Sequence, residues 1–370
     1  MSNQSTTKEH VLVVGAGYAG LRAALNLAPH VRVTLIDPAD RFTERVRLHE
    51  KATGRPDVTH SLRTFLRPAG VTHIPALITR IDTASAEVHT DTGRVLGYDR
   101  LVYALGSRTA GVGGPGASDE RVYTAESAAE LHKRLLDGPG SLAVVGGGLT
   151  GIELATELAE FQPRWQVQLI TGGEIAPSVS DKARAHIRSV LVDRGVRIEE
   201  HRRVNGPQDI DADVVVWSAS MVPNTELAIA SGLDVEPRGQ IRVNSALRSV
   251  SHPGIYVAGD AAAAQTPSSG PIRMACATAL PLGAHAAASV VRDLRGEDPK
   301  PLQFSYTAQC ISLGRHDGMI QLVREDDSPR DLCLTGKPAA MVKEQVVRNT
   351  VRTLRVASRS PRAAGLLPGN

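Results

Sequence analysis

The sequence predicts an α/β protein with two Rossmann-like units and a small α+β region at its end, because one pattern occurs twice and then stops. Val11-Leu-Val-Val-Gly15-Ala-Gly17-Tyr-Ala-Gly20 carries an apolar strand into a glycine turn and a helix, and Leu142-Ala-Val-Val-Gly146-Gly-Gly148-Leu-Thr-Gly151 repeats that course. Both show the order of strand, turn, helix and strand that a dinucleotide-binding βαβ unit requires. Beyond about residue 300 the pattern gives way to short β-like runs and one basic helix. A chain of 370 residues has the length of two or three domains.

In the first unit Gly15 permits the tight turn, Gly17 lets the backbone approach a pyrophosphate, and Gly20 lets the helix pack closely on the first strand. Tyr18 and Ala19 complete the loop. The pyrophosphate belongs where free N–H groups and the positive dipole end of the helix converge. The helix is expected over residues 19–28, with Leu21, Ala24, Leu25 and Ala28 inward. Asp37 closes the next strand and can accept hydrogen bonds from both ribose hydroxyls. The charged segment 41–50 reads as a solvated helix face, with contact to the cofactor as the rival reading.

Residues 71–74, 77–81, 87–89 and 101–104 read as short strands, a meander set between parts of a parallel sheet. The run ending in Ala104-Leu-Gly106-Ser107 has the small residues of a buried strand that a ligand approaches. Gly111-Val-Gly-Gly-Pro-Gly116 reads as a hinge or domain boundary.

The second unit continues with a helix to about residue 161 and a strand over 166–170. Thr171 stands where Asp37 stands in the first unit, followed by Gly172, Gly173 and Glu174. No carboxylate there repels a 2′-phosphate, and no arginine directly follows to attract one, so NADH and NADPH both stay open. A polar helix over 181–194, strands over 196–198 and 213–217, and a turn at Val222-Pro-Asn-Thr225 follow. The chain returns to the first domain from Gly239.

Net charge is +3, with 22% charged residues, which gives no global reason to expect nucleic acid as a partner. Cys276, Cys310 and Cys333 form neither a CxxC nor a disulfide framework, which fits a reducing, cytoplasmic setting. No cluster of ligand residues suggests a metal. No apolar run approaches the ~20 residues that span a bilayer, so neither secretion nor membrane integration is expected.

The two fingerprints, the Ala104-Leu-Gly106 strand end, the Val222-Pro-Asn-Thr225 turn and Gly254-Ile-Tyr-Val-Ala-Gly259-Asp260 together resemble the pyridine nucleotide-disulfide oxidoreductase-like flavoproteins. Within them, Gly148-Leu-Thr-Gly151-Ile-Glu153-Leu-Ala is similar to the type II NADH dehydrogenases and the apoptosis-inducing-factor-like ferroptosis-suppressor oxidoreductases. The resemblance covers roughly residues 9–300. It implies FAD in the first unit, NAD(P)H in the second, and the nicotinamide stacked on the flavin. The implied domains are residues 1–112 with 238–300 for FAD, 113–237 inserted for NAD(P)H, and 301–370 at the C-terminus.

By that resemblance Gly15, Gly17, Tyr18, Ala19, Gly20, Asp37, Arg45, Ala104, Gly106, Gly259, Asp260 and Ala277 serve the flavin. Gly146, Gly148, Leu149, Thr150, Gly151, Glu153 and Thr171 serve the nicotinamide dinucleotide. Asp260 bonds the ribityl chain at the start of a helix. Glu153 faces the nicotinamide and is the catalytic candidate. Arg45 or Arg47 neutralises phosphate or reduced-flavin charge. The stretch from Arg273 to Gly283 borders the flavin, with a helix starting near Ala279 and Pro281 in its first turn. It lacks the glutamines that quinone-reducing members often carry there. Disulfide reductases of this architecture carry a cysteine pair, yet residues 42–50 and the second domain have no cysteine. Electrons are therefore expected to leave the flavin directly for a diffusing acceptor, and Cys276 reads as a small core residue.

At the C-terminus, residues 304–306, 309–313 and 319–323 read as strands, and His316 as a turn residue. The helix over 339–357 sets Val342, Val346, Val347, Val351 and Leu354 near one face, beside Lys343, Arg348, Arg352 and Arg355. It suits an anionic membrane surface at the inner face, or docking on the domain with a solvated basic side. Residues 358–370 read as disordered. The function expected is an NAD(P)H dehydrogenase passing electrons through FAD to a quinone or another small acceptor, with a homodimer as one arrangement the resemblance implies. A reductase for a small iron–sulfur protein, a flavin oxidoreductase of secondary metabolism and an NAD(P)H-sensing signalling flavoprotein are the alternatives.

Overall fold

The computed structural model describes residues 8–55, 58–111 and 119–360. Residues 112–116 of the expected hinge and 361–370 of the tail lie outside these. The chain begins with β1 (His10–Val14), α1 (Tyr18–Leu27) and β2 (Arg32–Ile36). Val11 to Val14 are fully buried, as a central strand of a parallel sheet covered on both faces requires.

The charged segment that follows is not one solvated helix. It forms β3 (Arg41–Thr43), a 3₁₀ turn (Arg45–Arg47) and α2 (Leu48–Ala52), with Phe42, Glu44 and Glu50 buried. The carboxylates are tolerated inside because Arg47 bridges them, at 3.3 Å from Glu44 and 2.7 Å from Glu50. Next come β4 (Thr59–Ser61), α3 (Arg63–Ala69) and β5 (Thr72–Ile74). The meander is β6 (Ile78–Asp82), β7 (Glu87–Thr90) and β8 (Val95–Gly97), and β9 (Arg100–Tyr103) returns to the main sheet. Residues 72–74 thus belong to the parallel sheet, whose order is β17-β9-β1-β2-β5, with β17 at Ile255–Val257.

β10 (Ser107–Thr109) leads out to β11 (Val122–Tyr123), α4 (Ala128–Leu136), β12 (Gly140–Val145), α5 (Leu149–Phe161) and β13 (Trp165–Ile170). Then follow α6 (Asp181–Asp193), β14 (Arg197–Glu199) and β15 (Val214–Trp217). These strands make a second parallel sheet, in the order β11-β15-β12-β13-β14. The chain comes back through β16 (Met221–Pro223), expected as part of a turn, which pairs antiparallel with β10 so that the outgoing and returning crossings form one ribbon. α7 (Glu226–Ala230) and β17 close the return.

Asp260 lies in a single 3₁₀ turn (Gly259–Ala261), not at the head of a helix. A two-residue ribbon, β18 (Gln265–Thr266) with β19 (Gly270–Pro271), precedes α8 (Cys276–Leu294). The helix starts three residues earlier than expected, so Pro281 falls in its second turn and cannot donate to the carbonyl of Ala277. Residues 304–306 form no strand; Phe304 and Tyr306 instead meet edge to face, with ring centroids 4.9 Å apart.

The last region is β20 (Ala308–Ser312), β21 (Gly318–Val323), β22 (Pro329–Thr335) and α9 (Gly336–Arg359). β22 was not expected; it is an edge strand on which Arg330, Asp331, Leu332 and Leu334 are exposed, so its sequence shows no alternation of buried and exposed side chains by polarity. α9 buries Ala339, Val347, Val351, Leu354, Ala357 and Ser358. Val342 and Val346, assigned to the inner face from sequence, are 43% and 46% exposed. Ser358 is not disordered: its hydroxyl donates to the carbonyl of Phe65. The helix therefore docks on the body of the molecule, and no described helix is long and apolar enough to cross a membrane.

Candidate dinucleotide and electron-transfer site

Both glycine loops have the same construction. Gly15 takes φ +100°, and a Cβ there would lie 2.5 Å from the carbonyl oxygen of Ala104; on Gly20 it would lie 1.9 Å from that of Gly15. In the second unit a Cβ on Gly151 would meet the carbonyl oxygen of Gly146 at 2.0 Å. Only glycine lets each helix start this close to its loop. Gly17 and Gly148 are the N-caps of α1 and α5; neither has a side-chain cap, and both face open space. First-turn N–H groups left without a side-chain acceptor suit phosphate. Leu149 and Thr150 form the first turn of α5 beside Gly148, with Thr150 exposed.

Asp37 fastens the first loop: its Oδ2 accepts from the N–H of Ala16 at 2.7 Å and its Oδ1 from that of Ala39 at 2.9 Å. The ring of Tyr18 turns inward against Phe42, leaving only its main chain for the loop. Ala19 sits where α1, α8 and the Gly259 turn cross, its Cβ 3.0 Å from the Cβ position of Gly259. Ala104 joins β1 through its N–H to the carbonyl of Val14, and the carbonyl of Gly106 accepts from Asn224. Thr171 is held at both main-chain atoms by the 199–202 segment.

Asp260 carries the clearest sign of a missing partner. Its Oδ2 accepts from the Ser107 hydroxyl at 2.6 Å, whereas its buried Oδ1 has no hydrogen-bond partner among the described residues. Burial raises its pKa despite the Ser107 bond. An orphaned buried acceptor of this kind calls for a hydrogen-bond donor from outside the described residues. Ala277 lies in the first turn of α8, and Cys276 before it has its thiol pushed up to about 11, by burial first and the Asp260 charge second. Arg45 pairs with Glu126 at 2.8 Å and contributes positive charge at both Asp260 and Cys276.

Glu153, on α5, points away from its own sheet toward the C-terminal region. Its Oε1 is 2.9 Å from Lys343 Nζ and accepts from the Ser312 N–H at 3.0 Å. Burial opposes ionisation of this carboxyl, but Lys343, His49 and the Ser312 N–H together hold it below the usual range. The same partnership raises Lys343 against its burial, so both stay charged. Lys343 Nζ also donates to the carbonyl of Cys310 at 3.0 Å. Behind them Arg315 joins Glu50 at 3.0 Å and Glu157 at 2.8 Å. A cavity of about 400 Å³ opens onto this cluster past His49, Ser312, Lys343 and Glu344.

Sequence reasoning found both loops and Glu153, and missed Lys343, Ser312, His49 and Arg315 as its surroundings. One signal was available: Ala339, Lys343, Val347 and Val351 recur every fourth residue, so a lysine interrupts the buried stripe of α9. His316 is an exposed turn residue, and the three cysteines are free thiols.

Two parallel-sheet units, each with a glycine loop between its first strand and the following helix, are the architecture of proteins that bind two dinucleotides. The chain belongs to the pyridine nucleotide-disulphide oxidoreductase family, matching it over residues 9–281. It is an oxidoreductase that uses FAD and NAD(P)H. It is similar to an NADH dehydrogenase-like protein of Mycobacterium tuberculosis, 29% identical over 91% of this chain and 92% of that one. A type II NADH:quinone oxidoreductase of Staphylococcus haemolyticus is 28% identical over 92% and 94%. Among solved structures, Plasmodium falciparum NDH2 in complex with NADH shares the fold at TM-score 0.78 and 16% identity, covering 95% of this chain and 97% of that one.

Proposed function

We propose that the protein is an NAD(P)H dehydrogenase that passes electrons through FAD to a quinone or another small diffusible acceptor, without a redox-active disulfide. The observation that carries this reading is the buried Glu153–Lys343 pair, which ties the second dinucleotide unit to the C-terminal helix beside the first turn of α8. We assign residues 1–112 and 238–300 to FAD, 113–237 to NAD(P)H and 301–370 to a domain that covers the flavin.

FAD supplies the hydride-accepting ring when bound. The first-turn N–H groups after Gly17 hold its pyrophosphate, Asp37 accepts from the adenosine ribose, and the free Oδ1 of Asp260 accepts from the ribityl chain. The N-terminus of α8, with Ala277 in its first turn, and Arg45 favour negative charge beside the ring. The Gly146–Gly151 loop holds NAD(P)H, and Glu153, fixed by Ser312 and Lys343, orients the nicotinamide; no general base is required for hydride transfer. Lys343 keeps a proton next to that site, with the cavity past His49 and Glu344 as its route to solvent.

Two features favour a membrane-borne acceptor: Leu332 and Leu334 on β22 and Met341, Val342 and Val346 on α9 are exposed, and Arg348, Arg352 and Arg355 follow on the same helix. Rapid mixing tests the whole reading. Fast flavin bleaching by NAD(P)H and fast recovery with a quinone are expected; slow reoxidation by every acceptor tried overturns it. Co-sedimentation with anionic liposomes, lost in Met341→Asp/Val346→Asp, tests the membrane contact.

A further inference from the structure

Accepting residues 113–237 as the NAD(P)H-binding unit, we infer that this chain selects NADPH over NADH, and that Arg203, with Thr171 in place of an acid, sets the choice. The residue closing the second strand of such a unit meets the 2′ position of the adenosine ribose: a carboxylate there accepts from the 2′-hydroxyl and repels a 2′-phosphate. Here that residue is Thr171, whose side chain packs on the glycine loop, its Oγ1 only 2.7 Å from the Cβ position of Gly147.

The arginine absent from the adjacent sequence arrives from another strand. After β14 the chain runs beside residues 171–173: Thr171 N–H donates to the carbonyl of Glu199, Arg202 N–H to that of Thr171, and His201 N–H to that of Gly173. This fastens Arg203 next to Gly172, whose Cβ position is 3.9 Å from the Cα and Cβ of Arg203. Glycine at 172 leaves no side chain between them, and Gly173 and Gly148 face open space.

Every acid around this strand end already has a partner. Glu174 pairs with Arg184 at 2.9 Å, Glu199 with Arg197 at 2.9 Å and with Arg202, and Glu200 with Arg188 at 2.7 Å. Arg202 is further occupied by the carbonyl of Asp209. Arg203 is exposed and makes no hydrogen bond or ion pair among the described residues. A free guanidinium beside a nucleotide cradle stripped of its carboxylate matches a phosphate monoester, which it can grip with two parallel N–H donors. A 2′-hydroxyl finds no charged acceptor here.

Calorimetric titration of the flavin-loaded protein with NADP⁺ and NAD⁺, with 2′-AMP as competitor and at low and high salt, tests this. NADP⁺ is expected to bind about tenfold tighter or more, as for a hydrogen bond to a charged group. The advantage shrinks at high salt, because an exposed phosphate–arginine contact is screened. Arg203→Ala removes most of it while changing NAD⁺ affinity less than about twofold, and Thr171→Asp reverses the preference with flavin content intact. Equal or tighter NAD⁺ binding, or an Arg203→Ala variant that weakens both nucleotides alike, overturns the inference and leaves the unit's assignment standing. A flavin-loaded protein that binds neither nucleotide overturns that assignment as well.

Discussion

Lys343 Nζ lies 2.9 Å from Glu153 Oε1, and both side chains are largely buried, so a helix of the C-terminal region and a helix of the second nucleotide unit share one ion pair. Removing one member leaves the other charged without its counter-ion. Lys343→Met is expected to destabilise the protein by about 3 kcal/mol in urea titrations, the scale of a broken buried pair. Flavin reduction by NAD(P)H slows at the same time. Lys343→Met/Glu153→Gln should cost less than the sum of the single changes, which a double-mutant cycle reads directly.

Asp260→Ala removes the orphaned buried acceptor that we assign to the flavin. The variant should purify largely colourless, with FAD affinity reduced at least about tenfold, while its far-ultraviolet circular dichroism is unchanged. Flavin absorbance per mole of protein checks it.

The two loops can be separated by parallel substitutions. In Gly20→Ala the new methyl would sit 1.9 Å from the carbonyl oxygen of Gly15, and in Gly151→Ala 2.0 Å from that of Gly146. The first is expected to lose flavin. The second keeps its yellow colour but is no longer bleached by NAD(P)H; loss of flavin from both would contradict the assignment of one nucleotide to each loop.

Glu157 is fully buried against Arg315, and burial, only partly offset by that guanidinium, raises its carboxyl from 4.5 to about 7. The folded protein therefore holds this proton more tightly than the unfolded chain. Stability from this group is greatest at low pH and falls as pH rises from 4.5 to about 7, by on the order of 3 kcal/mol, then levels. Glu157→Gln should flatten that slope in denaturation midpoints measured between about pH 4.5 and 8.

What was legible in the sequence was what is local. The strand, glycine and helix order of 11–20 and of 142–151 follows from backbone sterics within a few residues, and both loops formed as read. The misreadings have a common cause in long-range partners. Residues 41–50 look solvated by charge density, yet Glu44 and Glu50 are inside because Arg47 and Arg315 reach them from their own turn and from residue 315. Val342 and Val346 look buried by periodicity, yet α9 rotates to insert Lys343 toward Glu153.

By itself, then, the sequence determined the two glycine loops between strand and helix, the place of Asp37 at the end of β2 and the lack of a paired-cysteine motif, because glycine geometry and strand patterning are encoded at short range. Tertiary structure alone decided what surrounds them. It brought Lys343 across 190 residues to Glu153, and laid Arg203 beside Gly172. Electrostatic pairing acts through space, and its partners are chosen by the packing of strands and helices that no local pattern records.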